Sequence, residues 1–109
     1  MTDKIVVFST CSTPEEAAQI ARKLIEERLA ACVNVAPRIR SFYRWKGAIE
    51  ESDECLLIIK SSRDRFERLR VELEKVHTYE VPEVVAVPVT AGSPNYLNWI
   101  EGELNPPGV

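Results

Sequence analysis

The sequence predicts an α+β domain whose elements run β-α-β-β-α-β, with a long hairpin between the second and third strands and a short C-terminal helix. Three observations predict it. Two segments carry apolar residues at helical spacing behind capping signals. Four other runs are extended in character, rich in β-branched and aromatic residues. A Lys46-Gly47 turn signal joins the two longest of these as the arms of one hairpin.

The elements follow in order. Residues 4–11 open on Ile5-Val6-Val7-Phe8 and read as a buried, central strand. Thr13 is placed to cap a helix, Pro14 suits its first position, and Glu16 completes a capping box. That helix sets Ala17, Ile20, Ala21, Leu24, Ile25 and Leu29 on one face. Residues 32–45 form the first hairpin arm, where Pro37 demands an edge strand or a bulge. Residues 48–59 return as the second arm, ending in a wholly apolar run from Cys55. Ser61 to Asp64 are expected to start a second helix with Phe66, Leu69, Leu73 and Val76 buried, and with Asp64–Arg68 and Arg70–Glu74 paired on its wet face. A loop at 77–83 leads to a last strand at 84–89, and Ser93-Pro94 caps a third helix carrying Tyr96, Leu97, Ile100 and Leu104. The order is that of a ferredoxin-like split βαβ domain, with both main helices on one face of an antiparallel sheet.

Length and charge narrow the function. The 109 residues suit a single domain spanning 1–109. A net charge of −3 with interspersed signs argues against nucleic acid and against an anionic membrane surface. No apolar run reaches the roughly 20 residues of a membrane span, and no signal peptide is read at the start. Cys11, Cys32 and Cys55 form no C-x-x-C pair and no even disulfide framework, so reduced thiols in a cytoplasmic protein are expected. Cys32 and Cys55 lie among apolar neighbours and read as core. Neither a G-x-S-x-G elbow nor a Gly-rich phosphate loop occurs, so no enzyme and no organic cofactor are expected.

The topology makes two further statements. The first and last strands are antiparallel neighbours, so Cys11 should meet the 77–83 loop at one rim. The hairpin arms overhang the other strands at roughly 41–51, carrying Phe42, Tyr43, Trp45 and Ile49. Their exposure predicts a homo-oligomer with the hairpin at its interface. Arg38, Arg40 and Arg44 on the first arm offer an anion cleft, or salt bridges to Glu50, Glu51 and Asp53 opposite. Tyr79, Tyr96, Trp45 and Trp99 read as structural aromatics.

Five phrases carry a resemblance: Cys11-Ser12-Thr13-Pro14-Glu15, Arg28-Leu29-Ala30-Ala31-Cys32-Val33-Asn34, Tyr43-Arg44-Trp45-Lys46-Gly47, His77-Thr78-Tyr79-Glu80-Val81-Pro82-Glu83 and Tyr96-Leu97-Asn98-Trp99. Together they closely resemble CutA, the divalent-ion tolerance protein family, over nearly the whole chain. The resemblance implies a cytoplasmic homotrimer meeting through its long hairpins and linked to tolerance of divalent metals, above all copper. It also implies copper contacts at the positions of Cys11 and His77. The chain departs from the family at Thr78, where proline is usual, and at Val76, where some members carry a second histidine.

Cys11 and His77 are soft donors suited to copper, with zinc as second choice. Glu80 and Glu83 are placed to complete the sphere. Two other readings stand beside metal binding: a trimer like the PII regulators that senses a small anion between subunits, and a structural trimer that anchors another protein.

Overall fold

A computed structural model describes residues 2–108; the ends of the expected domain, Met1 and Val109, lie outside them. The elements run β1 (Lys4–Cys11), α1 (Pro14–Glu26), β2 (Cys32–Trp45), β3 (Ala48–Ser62), a 3-10 turn (Arg63–Arg65), α2 (Phe66–Val76), β4 (Val85–Pro88) and α3 (Pro94–Leu104). The four strands form one antiparallel sheet in the order β2-β3-β1-β4. This is the expected α+β, ferredoxin-like arrangement.

Register decides which residues face the core. Ile5, Val7 and Cys11 on β1 lie opposite Ser61, Ile59 and Cys55 on β3. With Leu57 they pack against Ala17, Ile20 and Leu24 of α1 and Leu69 and Leu73 of α2. Thr13 caps α1 as expected, accepting the Glu16 amide at 3.1 Å. Without a glycine to end it, α1 closes through Arg28 at φ 54°, with the Leu29 amide donating to Leu24 O at 2.9 Å. Two of the expected core positions fall outside the stripe: Ile25 and Val76 are each 41% exposed.

The hairpin turns on Lys46 (φ 50°) and Gly47 (φ 85°), the left-handed pair that a two-residue turn requires. Its long arms account for the 49 Å axis of a molecule only 26 by 22 Å across, at about 3.3 Å per strand residue. Pro37 sits at a bulge on an edge strand. Between Ala36 and Ile39 the register slips, so that Pro37 and Arg38 together face Cys55.

Three expectations need correction. Ser61 and Ser62 belong to β3 rather than to the second helix. Both are buried, and Ser61 Oγ donates to Leu29 O at 2.6 Å, which satisfies a polar group in the core. Asp64 therefore lies in the 3-10 turn and pairs with Arg65 at 3.1 Å, not with Arg68. The last strand is shorter than expected, and all of its residues are exposed.

The other sheet face is unlike the core face. Val6 and Phe8 on β1 lie opposite Val87 and Val85 on β4, and Phe8 lies opposite Ile58 on β3. Val85 is 50% and Val87 44% exposed. The chain thus leaves an apolar sheet face open as well as an apolar hairpin.

Candidate functional site

The rim forms as the topology requires. β1 ends at Cys11, α2 ends at Val76, and the loop that follows crosses the end of β1. The His77 side chain is fully buried. Its Nε2 donates to Thr10 O at 2.7 Å, and its Nδ1 accepts from the Tyr79 amide at 3.0 Å. These partners assign the neutral Nε2–H tautomer. The ring packs on Tyr79 with centroids 4.7 Å apart.

Glu16 ties the same loop to α1. Its Oε2 accepts from the Thr78 amide and the Thr78 hydroxyl, each at 2.9 Å, and its Oε1 accepts from Ser12 Oγ at 3.2 Å. Burial opposes the Glu16 charge, yet the Thr78 donors outweigh it and hold the carboxyl below the ordinary glutamate range. A third tie joins the loop to β3: Tyr79 Oη donates to Glu54 Oε2 at 2.6 Å. Burial, and then the Glu54 carboxylate beside it, push the Tyr79 hydroxyl well above its usual value.

Sequence reasoning missed two of these residues. Glu16 reads as the second half of a capping box, but its carboxylate is spent on Thr78 and Ser12. Glu54 is 7% exposed although it continues a run of acids. Its one readable signal is its place directly before the apolar stretch from Cys55.

The expected metal donors are brought to one rim but not into one sphere. Cys11 is wholly buried, its Sγ donating toward Thr13 O at 3.6 Å. Burial above all, with the charges of Glu16 and Cys55, pushes its thiol up to about 12. A metal needs a thiolate and a free imidazole lone pair. Here the thiol is held protonated, and both His77 nitrogens are occupied. Glu80 and Glu83 are exposed. Among the described residues no group of three or more His, Cys, Asp or Glu side chains is arranged to hold a metal ion. The closed rim therefore does not fit a resident metal.

The remaining candidates are quickly placed. Phe42 (65%), Tyr43 (44%), Trp45 (39%) and Ile49 (74%) are exposed on the overhang. Arg40 pairs with Glu51 across the hairpin and stands over the Phe42 ring at 5.8 Å, while Arg38 and Arg44 are exposed on the same arm. Tyr96 and Trp99 stack on α3 with centroids 5.7 Å apart. Cys55 is in the core, but Cys32 is only half-buried. Its register partner is Lys60, whose Nζ lies 3.9 Å from the thiol on the open sheet face.

Comparison with known proteins agrees with this architecture. The family model for the CutA1 divalent ion tolerance protein matches residues 5–103. The chain is 44% identical over 95 residues to the divalent-cation tolerance protein CutA of Thermus thermophilus, covering 87% of this chain and 92% of that one. It is 48% identical over 93 residues to protein CutA of Mus musculus, covering 85% of this chain but only 52% of the mouse protein. The crystal structure of CutA from Xylella fastidiosa superposes with a TM-score of 0.93 at 41% identity, covering 95% of this chain and all of the other. Relatives differ in named location: one from Arabidopsis thaliana is chloroplastic, and one of known structure from Archaeoglobus fulgidus is called periplasmic. Among the described residues no helix is long and apolar enough to cross a membrane. On the match to nearly its whole length, the chain belongs to the CutA1 divalent ion tolerance protein family.

Proposed function

We propose that this chain is a homotrimeric, non-catalytic cation-tolerance protein of the cytoplasm, whose first task is self-assembly. The observation that carries the reading is the apolar surface one copy leaves uncovered. Phe42 and Ile49 stand out on the overhang, and Val85 and Val87 lie on the open sheet face. Covering a side chain of this kind is worth about 1.5–3 kcal/mol, and tyrosine and tryptophan beside them are typical of interfaces. A second and third copy supply matching surface with no new element.

The non-catalytic part rests on the sequence's single histidine, which is buried with both ring nitrogens engaged. The cytoplasmic part rests on three unpaired thiols. Copper, with zinc as second choice, belongs to this reading as an ion the protein meets rather than one it stores. Cys11 and His77 are available as donors only when the 77–83 loop releases them, which makes the affinity modest.

Light scattering on the purified chain at micromolar concentration tests assembly, with three copies expected. Ile49→Glu together with Phe42→Glu should reduce the mass to that of a smaller species. A wild-type monomer would refute the proposal. Calorimetric titration with copper and zinc tests the ion. Weak copper binding that disappears in Cys11→Ser with His77→Ala is expected, and unchanged binding in that variant would remove the rim from the account.

A further inference from the structure

The sheet places two buried thiols face to face. Cys11, the last residue of β1, is the register partner of Cys55 on β3. Both belong to the same core cluster, at 0% and 2% exposure, and each lies within electrostatic reach of the other. Directly opposed residues of an antiparallel pair have Cα atoms about 4.5 or 5.5 Å apart. Either value falls inside the roughly 4.4–6.8 Å that a disulfide spans.

The pair sits where one strand ladder ends and the other is interrupted. Cys11 closes its strand. Cys55 faces the Pro37–Arg38 bulge on its other side, where the β2–β3 ladder is interrupted. Opposed Cβ atoms sit about 4.5–5.5 Å apart, a little beyond the usual disulfide value of about 3.8 Å. A bond made there carries some strain and is correspondingly easy to reduce.

From this juxtaposition we infer that Cys11 and Cys55 form a reversible intrachain disulfide, and that the pair is a redox modification site for a small two-electron oxidant such as a peroxide. With hydrogen peroxide, two S–H bonds break and one S–S bond forms. The two electrons and two protons pass to the peroxide, whose O–O bond breaks to give two waters. A dithiol reverses the change by exchange.

The 77–83 loop sets the rate. Its ties to Glu16, Thr10 and Glu54 hold Tyr79 against the Cys11 side of the pair. While it is closed the thiols stay buried, out of reach of an oxidant, and oxidation is slow. Loosening one tie exposes them. The pair is thus a guarded site in the core, unlike Cys32, which is only partly buried.

The test uses the full chain carrying Cys32→Ser, so that no other thiol competes. After timed exposure to hydrogen peroxide, free thiols are blocked by alkylation and peptides are mapped by mass without reduction. A Cys11–Cys55 linked peptide is expected, two hydrogens lighter than the dithiol and released by dithiothreitol. Adding Thr78→Ala, a change at an exposed residue, should speed its formation several-fold. Adding Cys55→Ala should abolish it. If both thiols stay alkylatable in the Thr78→Ala protein, or if they overoxidise singly without linking, the inference fails.

Discussion

Replacing Glu16 with alanine removes three hydrogen bonds at once, two from Thr78 and one from Ser12. A bond to a charged group contributes about 1.5–3 kcal/mol. Ser12 and Thr78 are both exposed, so water takes up their donors in the variant and the low end applies. The variant is also spared the cost of burying a carboxylate, which stands at 7% exposure. The net loss expected is about 2 kcal/mol, seen as a urea midpoint lowered by ~1 M at fixed protein concentration. The pH dependence identifies the cause. The folded-state value of Glu16 lies below its unfolded one, so its contribution is present above the unfolded value of about 4.3 and is lost as pH falls through the folded value. The gap between wild type and Glu16→Ala should therefore narrow in acid, and Glu16→Gln should show about half the neutral-pH effect. An undiminished gap in acid would refute the assignment of the stability to the carboxylate charge. A double-mutant cycle with Thr78→Ala should show strong non-additivity.

Two further perturbations test other buried polar groups. Tyr79→Phe leaves Glu54 buried without its 2.6 Å donor and should cost about 1–3 kcal/mol in denaturant unfolding; a neutral result would mean that the Glu54 carboxylate is already served by solvent. Lys4, with 5% of its side chain exposed, bonds Asp3 at 2.8 Å and Glu101 at 2.6 Å. Burial opposes its charge, but the two carboxylates win and raise its value. Its contribution is full below the unfolded value of about 10.4 and fades as pH climbs through the folded one. Because both partners are half-exposed or more, Lys4→Met should cost only about 1 kcal/mol at neutral pH, a difference that thermal melts should show shrinking in strong alkali.

What was legible in the sequence, and what was not, divides along one line. Apolar periodicity carries the strand and helix order, the capping threonine, the turn at Lys46-Gly47 and the bulge forced by Pro37. It fails where polar residues are buried. Ser61 and Ser62 look like a helix start because two serines after an apolar run usually mark a boundary, yet the backbone carbonyl of Leu29 gives Ser61 a partner inside the core. Glu16 occupies a capping position, and only the tertiary approach of Thr78 redirects its carboxylate. Cys32 looks like core because its neighbours are apolar, but alternation turns it to the face shared with Lys60. The partner of a buried polar group is set by tertiary approach, and a pattern of hydrophobicity carries no record of it.

The same division bears on how the protein works. At the rim, nearly every polar atom is committed: both His77 nitrogens, both Glu16 oxygens and the Tyr79 hydroxyl hold the loop closed. Groups spent in this way stabilise a shape and are not free to bind an ion. The surfaces left without partners are instead apolar, on the overhanging hairpin and the open sheet face. A chain that seals Cys11 and His77 and exposes its hydrophobic faces suits the proposed role, in which assembly comes first. Any chemistry at Cys11 then depends on how often the loop over it opens, so the strength of the Glu16–Thr78 tie should govern copper access and thiol oxidation alike.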